Sequence, residues 1–354
     1  MDFTESASTL TWHYPPVGYD PPTISTNNQA YKISVRGLDL AGNEEDFALS
    51  ITTVTSDFNY PIITVSTPMT GGNAFYGSAL RLMPQLAGNS ADAPAGIAPP
   101  IKTQIADITE AISFDLQPKW NGSQWTVLTS TWLGVANLNP WTYNAPDWDQ
   151  RANKRFRTEY YALDQAGNFP PAGTYVREFI YDINKPSSTI AVPSANFQNP
   201  AQIAVFSGAS SDWVNYPSTE AYSGITTDGI EIQVLDINGD SFNGTGFGNG
   251  DANWRKTTLT PTSQVTDSVF GVNIVKTANW TYPKTPDAWP PALVEGSTYT
   301  VRVRATDRAL NTENYVQKTF CYDASAPTAT VTMPGTGLSY AALPTISGTV
   351  KEDF

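Results

Sequence analysis

The chain has 354 residues, room for two or three domains, with 27 Pro, 25 Gly, 10 Trp, 17 Tyr and a formal charge of −13. One His and one Cys exclude an intrachain disulfide and most histidine- or thiolate-based chemistry. Only 20 Lys+Arg, densest at Arg151, Lys154, Arg155 and Arg157, leave no basic stripe for nucleic acid or an anionic membrane; calcium and neutral polymers stay open as partners.

No apolar run is long enough to span a bilayer. The residues after Met1 (DFTESAST) have neither the basic nor the apolar region of a secretory leader; if the protein is exported, its signal lies elsewhere or has been removed.

Three phrases recur in the same order. Trp-x-Tyr stands at Trp12-His13-Tyr14, Trp141-Thr142-Tyr143 and Trp280-Thr281-Tyr282. A turn phrase follows at Asp39–Asn43 (DLAGN), Asp164–Asn168 (DQAGN) and Asp307–Asn311 (DRALN). A closing phrase ends each unit at Asp57–Pro61, Asp182–Pro186 and Asp323–Pro327. The period divides the chain into the back half of a unit (1–56), two complete units (57–182 and 183–323) and the opening strands of another (324–354). The second complete unit is longer mainly through a Gly/Asn-rich insertion, 236–251.

Within each unit the segment before the turn phrase alternates with period 2. Tyr31, Ile33 and Val35 oppose Lys32, Ser34 and Arg36. In the last copy Tyr299, Val301, Val303 and Ala305 oppose Thr300, Arg302 and Arg304. The pattern predicts half-buried antiparallel strands. The turn phrase predicts a hairpin tip, since Asp bonds to the backbone ahead of it and Gly and Asn accept positive φ. No amphipathic helix is predicted. The chain reads as all-β, each unit holding two packed sheets.

The run Leu293-x-x-Gly296-x-x-Tyr299-Thr-Val-Arg-Val-Arg-Ala-Thr-Asp307, with the D-x-A-G-N and Y-D-x-x-x-P phrases, resembles the second half of bacterial immunoglobulin-like and fibronectin type III-like repeats of large, adhesin-like surface proteins. It covers about a third of each unit. The resemblance implies immunoglobulin-like β-sandwiches in a linear rod. Two positions depart from it: Phe156 replaces the corner tyrosine in the first complete unit, and Leu310 replaces the turn glycine in the second.

In such a sandwich the tip of the last hairpin lies at the pole where the chain enters. That pairs Asp57 with Asp164, and Asp182 with Asp307, with Asn168 and Asn311 adding oxygens. Oxygen-rich groups suit Ca²⁺, and the resemblance implies interdomain calcium that stiffens the rod. The other reading is that these residues only build turns. A weaker calcium candidate is the loop Asp236, Asn238, Asp240, whose oxygens alternate. It lacks the EF-hand glycine and glutamate, their places being held by Ser241 and Phe247, and a plain flexible insertion is the alternative.

Catalysis is not expected. His13 is replaced by Thr142 and Thr281 in the other copies, Cys321 aligns with Ile180 as a small buried apolar side chain, and no Gly-rich phosphate loop occurs. Sequence leaves a carboxylate pair such as Asp147 and Asp149 open as glycosidase groups, but repetition argues against an enzyme. Trp120, Trp125, Trp132, Trp141 and Trp148 crowd the middle of one unit, and Trp254, Trp280 and Trp289 that of the next. Trp141 and Trp280 keep fixed register, which points to packing between sheets; a saccharide-binding face is the alternative. Asn121, Asn243 and Asn279 lie in sequons expected to be silent.

The sequence therefore points to a non-enzymatic, extracellular or bacterial cell-surface segment. It acts as a spacer or filament-forming rod whose partners are neighbouring repeats and, in a minor reading, surface glycans. Two alternatives are a carbohydrate-binding accessory segment of a secreted enzyme, and a filament subunit in which 324–354 of one copy completes 1–56 of the next. The stretch so joined is too short for a whole unit, which favours a window on a longer chain.

Overall fold

The computed structural model describes residues 2–6, 9–14, 16, 18–20, 22–46, 51–78, 80–110, 112–127, 131–212, 220–248, 250–343 and 345–352. The first partial unit contributes two antiparallel hairpins: β1 (Asp2–Ser6) with β2 (Thr9–His13), and β3 (Ala30–Ser34) with β4 (Ile51–Thr55). Tyr31 and Val35 are half-buried, as the alternation predicts, while Ile33 between them and Trp12 on the other hairpin are exposed. His13 is exposed on its strand.

Residues 57–182 hold β5 (Ile62–Thr67), β6 (Phe75–Tyr76), β7 (Gln85–Ala91), β8 (Ile97–Asp107), β9 (Pro118–Trp120), β10 (Trp125–Val127), β11 (Leu133–Gly134), β12 (Trp141–Asn144), β13 (Lys154–Asp164) and β14 (Tyr175–Tyr181). One sheet runs β12-β7-β5. The other runs β10-β9-β8-β13-β14-β6, with β11 beside β8 and β6 parallel to β14. The first strand switches sheets between β5 and β6, so the two sheets face each other. Ile63, Leu86, Ile105, Trp141, Phe156 and Phe179 fill the space between them. Burial alternates along β13, as its sequence requires.

Residues 183–323 repeat the plan with β15 (Ser187–Val192), β16 (Phe197–Gln198), β17 (Phe206–Ser211), β18 (Ile225–Leu235), β19 (Ser241–Phe242), β20 (Phe247–Gly248), β21 (Arg255–Lys256), β22 (Thr258–Asp267), β23 (Val272–Tyr282), β24 (Thr298–Asp307) and β25 (Val316–Tyr322). β15-β17-β23 matches β5-β7-β12, and β18-β24-β25-β16 matches β8-β13-β14-β6. A single strand pair, Ile225 with Val275, joins the edges of the two sheets. Phe206, Ile232, Trp280, Val301, Val303 and Phe320 lie in its separate interior. The chain is all-β, and strand order makes 57–182 and 183–323 each a two-sheet, immunoglobulin-like β-sandwich. A last hairpin, β26 (Thr328–Met333) with β27 (Ser347–Lys351), pairs as β5 and β7 do and is exposed throughout.

A glycine under a tryptophan organises each small sheet. Gly88 faces Trp141 across β7 and β12, and Gly208 faces Trp280 across β17 and β23. Both indoles are fully buried. A further aromatic pair recurs: Trp148 Nε1 donates to Met83 O and Trp289 Nε1 to Ile203 O, each at 2.9 Å. Tyr299 Oη accepts the Val294 N–H at 3.0 Å, closing the corner before β24. Phe156 holds that place in the first unit and packs instead on Trp148, at a 4.9 Å ring separation. Leu310 stands at φ +70°, in the left-handed backbone that Gly42 and Gly167 adopt in the other copies.

The two interiors are not wholly independent. Phe270, at the β22–β23 tip, enters the interior of 57–182 together with Ile274 and Ala309. Its ring lies 5.1 Å from that of Phe75, and Arg155 stacks over it at 4.8 Å while its Nη1 meets Asp267 Oδ2 at 2.8 Å. Sequence reading expected each unit to seal its own core; the long β22–β23 hairpin carries an aromatic across the joint instead.

Candidate functional site

The turn phrases form hairpin tips of one construction. Asp164 Oδ1 accepts Asn168 N–H at 2.8 Å and Asp307 Oδ1 accepts Asn311 N–H at 2.8 Å; Asp39 does the same with Asn43. The Asn side chain then ties the tip to the chain entering the unit. Asn168 Nδ2 donates to Asp57 O at 3.0 Å and to Asp164 Oδ2 at 2.8 Å. Asn311 Nδ2 donates to Asp182 O at 2.8 Å and to Asp307 Oδ2 at 2.7 Å. The amides that the sequence offered as oxygen donors thus serve as hydrogen-bond donors.

This clamp brings Asp57 to Asp164 and Asp182 to Asp307. A third carboxylate joins each pair: Asp92, directly after β7, and Asp212, directly after β17. In both groups one carboxylate oxygen per residue lies within 4.8 Å of the others. Asp92 and Asp212 were missed because no long phrase surrounds them. The signal was the shorter Gly-x-Ser-x-Asp, Gly88–Asp92 and Gly208–Asp212.

The second group is the more enclosed. Asp182 and Asp307 are fully buried and Asp212 nearly so. Asp182 Oδ2 accepts Ser223 N–H at 2.6 Å and Oδ1 accepts Asn184 N–H at 3.0 Å; Asp212 Oδ2 accepts Gly224 N–H at 2.6 Å. None of the ion pairs among the described residues engages these three carboxylates. Three buried like charges without a cation resist ionisation. Burial, then the Asp182 charge, pushes the Asp307 carboxyl up to about 7. Burial and the charges of Asp182 and Asp307 hold Asp212 well above the usual carboxylate range, and burial raises Asp182.

In the first group Asp57 Oδ1 accepts Asn59 N–H at 3.1 Å and Oδ2 accepts Ala95 N–H at 3.0 Å. Asp92 is half-buried, its Oδ2 buried and unpartnered, and burial with the charges of Asp57 and Asp164 raises its carboxyl. Both groups offer hard oxygens, and an orphaned carboxylate oxygen is what a cation would engage; the donor set fits Ca²⁺.

The loop candidate is arranged differently. Asp236 Oδ1 accepts both Asn238 N–H and Asp240 N–H at 2.9 Å, and Asp240 Oδ1 accepts Gly250 N–H at 3.0 Å. These oxygens hold a turn. Asp149 Oδ1 accepts the Tyr181 hydroxyl at 2.7 Å, and Asp147 Oδ1 accepts the Asp149 N–H at 3.2 Å, so this pair too builds local structure. Cys321 aligns with Ile180 but is half-buried, where the sequence suggested a buried side chain: Ile180 shares its cluster with Phe270 and Ile274 of the next unit, and Cys321 has no such cover among the described residues.

No family model matches the chain, and no curated protein matches it. Among solved structures, the fibronectin(III)-like modules of Clostridium thermocellum CbhA align at 10% identity, over 74% of this chain and 95% of that one, with a TM-score of 0.29. Strand order and register, not that loose superposition, define the fold. No helix among the described residues is long and apolar enough to cross a membrane.

Proposed function

We propose that the chain is a non-catalytic, tandem structural segment that works outside the cell, at a bacterial surface, as an adhesin-type spacer or filament rod whose joints are held stiff by Ca²⁺. The observation that carries this reading is the repeated joint. Linker aspartate, strand-end aspartate and tip aspartate converge at matching positions of two units. A buried triad of carboxylates is costly in a fold unless a cation or protons neutralise it, and a cation there would bind the linker to the unit it enters. Asp57, Asp92 and Asp164 would hold one ion, and Asp182, Asp212 and Asp307 another. Its partners are the neighbouring repeats, which share the load from joint to joint.

The test is calcium titration of the chelator-stripped chain by calorimetry, with melting and small-angle scattering alongside. Two binding events within the range of extracellular calcium modules, about 0.1–1 mM or tighter, are expected, with a raised melting temperature and a stiffer particle. Asp212→Asn should remove one event and Asp92→Asn the other. Absence of binding, with melting and scattering unchanged by chelator, overturns the reading.

A further inference from the structure

The outward face of the β8–β13 sheet differs between the two units at one matched place. Trp132 precedes β11, where Leu133 faces Thr103; Trp254 precedes β21, where Arg255 faces Ile232. The cross-strand pair beside Trp132 is Lys102 with Tyr161, and beside Trp254 it is Glu231 with Arg304. The two tryptophans therefore occupy the same register on the same face.

In the second unit an arginine of the same sheet covers the tryptophan, and the cleft of about 340 Å³ beside it is lined mainly by charged groups, among them Asp228, Lys256, Lys284 and Asp287. The Arg304 guanidinium carbon lies 4.0 Å from the centre of the Trp254 ring, and its Nη2 meets Glu231 Oε2 at 2.8 Å. Lys256 Nζ reaches Glu231 Oε1 at 2.7 Å, and Arg302 stacks over Tyr315 at 4.5 Å. In the first unit no arginine stacks on Trp132 among the described residues; Arg157 turns instead to Glu159. Tyr161 and Glu159 stand where Arg304 and Arg302 stand, and a cleft of about 380 Å³ opens between Trp132 and the β13–β14 loop. Trp132, Tyr161 and Phe169 line it as a row of tilted rings, with separations of 5.8 and 6.1 Å and interplanar angles of 50° and 52°. Trp132 is 39% exposed and Phe169 59%. Lys102 and Glu159 line the same cleft, and Glu159 is paired with Arg157 at 2.6 Å.

We infer that this cleft is a binding site for a neutral saccharide, with a pyranose ring stacked on the Trp132 indole and Tyr161 inclined as its side wall. The size suits a small ligand, and clefts of this kind join apolar walls to a few convergent polar groups. A sugar ring presents an apolar C–H face to the negative face of an indole and hydroxyls at its edge, where the Lys102 ammonium donates and the Glu159 carboxylate accepts. A free cation would meet the charge of Lys102, and an anion that of Glu159. A polyproline peptide would use the aromatic rings and accept from Lys102 through its carbonyls, but it has no N–H or hydroxyl to donate to Glu159. The site is separate from the acidic joints and stands or falls apart from calcium.

The experiment titrates the full chain with neutral tetrasaccharides of glucose, mannose and N-acetylglucosamine, each alone, followed by tryptophan fluorescence and calorimetry, with a poly-L-proline peptide as competitor class. At least one sugar should bind saturably. Trp132→Ala should weaken it at least about tenfold, as loss of a central aromatic anchor does, while Trp254→Ala leaves it unchanged. The pair Tyr161→Arg with Lys102→Glu copies the sister unit and should close the cleft, abolishing binding with the melting temperature retained. Failure of every sugar to saturate by about 10 mM, a range that still detects very weak sites, overturns the inference. So does binding that survives Trp132→Ala, or Trp132-dependent capture of the proline peptide in place of any sugar.

Discussion

Trp141 lies over Gly88 so closely that a Cβ at residue 88 would stand 2.4 Å from the indole Cζ2 and 2.0 Å from Thr64 O. Neither neighbour can withdraw, because the ring is packed between sheets and the carbonyl belongs to β5. Gly88→Ala should therefore destabilise residues 57–182 by about 2–3 kcal/mol, the cost of overpacking a close-packed interior. Urea unfolding followed by tryptophan fluorescence checks it. A midpoint equal to that of the unaltered chain would show that the ring has room to move.

The same logic applies across the joint. Phe270→Ala removes the ring that one unit buries in the other, and truncating a buried Phe costs about 3–5 kcal/mol. Here that cost falls on the coupling of the units. Calorimetry of the variant should show two separated thermal transitions where the unaltered chain shows closer ones. An unchanged profile would mean that Arg155–Asp267 and the Asn311 clamp hold the joint alone.

Stability without metal should depend on pH in an inverted sense. Asp307 has a folded pKa of about 7, above the roughly 3.9 of an unfolded aspartate. A raised carboxyl contributes stability that is full below its unfolded pKa and is lost as pH rises through the folded value. In chelator, the melting temperature should therefore be higher near about pH 5 than near about pH 8. Calcium competes with those protons, so its stabilising increment should be largest at the alkaline end. A melting temperature in chelator that rises steadily with pH would contradict the burial of this triad.

The corner before β24 gives a smaller, cleaner test. Tyr299→Phe deletes one hydroxyl acceptor from the Val294 N–H and should cost about 1 kcal/mol, the usual net worth of such a bond. Phe156→Tyr adds a hydroxyl to a ring packed on Trp148 and Phe179 and should leave the other unit no more stable. Paired urea midpoints for the two variants decide it.

Local chemistry made much of this legible. Alternation along Tyr299–Ala305 marked a strand with one buried face, and the Asp-x-Ala-Gly-Asn phrase marked a tip whose aspartate caps its own turn. Trp141 and Trp280 announced a core through their shared register. What sequence withheld was long-range. Asp92 and Asp212 reach the tips only because β7 and β17 end at the pole where the linker enters. Phe270 sits in an ordinary hairpin tip whose destination depends on how two units dock. Leu310 was visible as a missing glycine, and the fold keeps its left-handed turn regardless, with Asp307 Oδ1 holding Asn311 N–H at 2.8 Å.

The ring that crosses from one sandwich to the next changes what the peptide between them is for. With Phe270 seated beside Phe75 and an arginine bridging the seam, severing the backbone near Lys185 would leave two fragments that still travel together. Tension along the polypeptide would have to pry that knob from its socket before the connecting residues bore the strain.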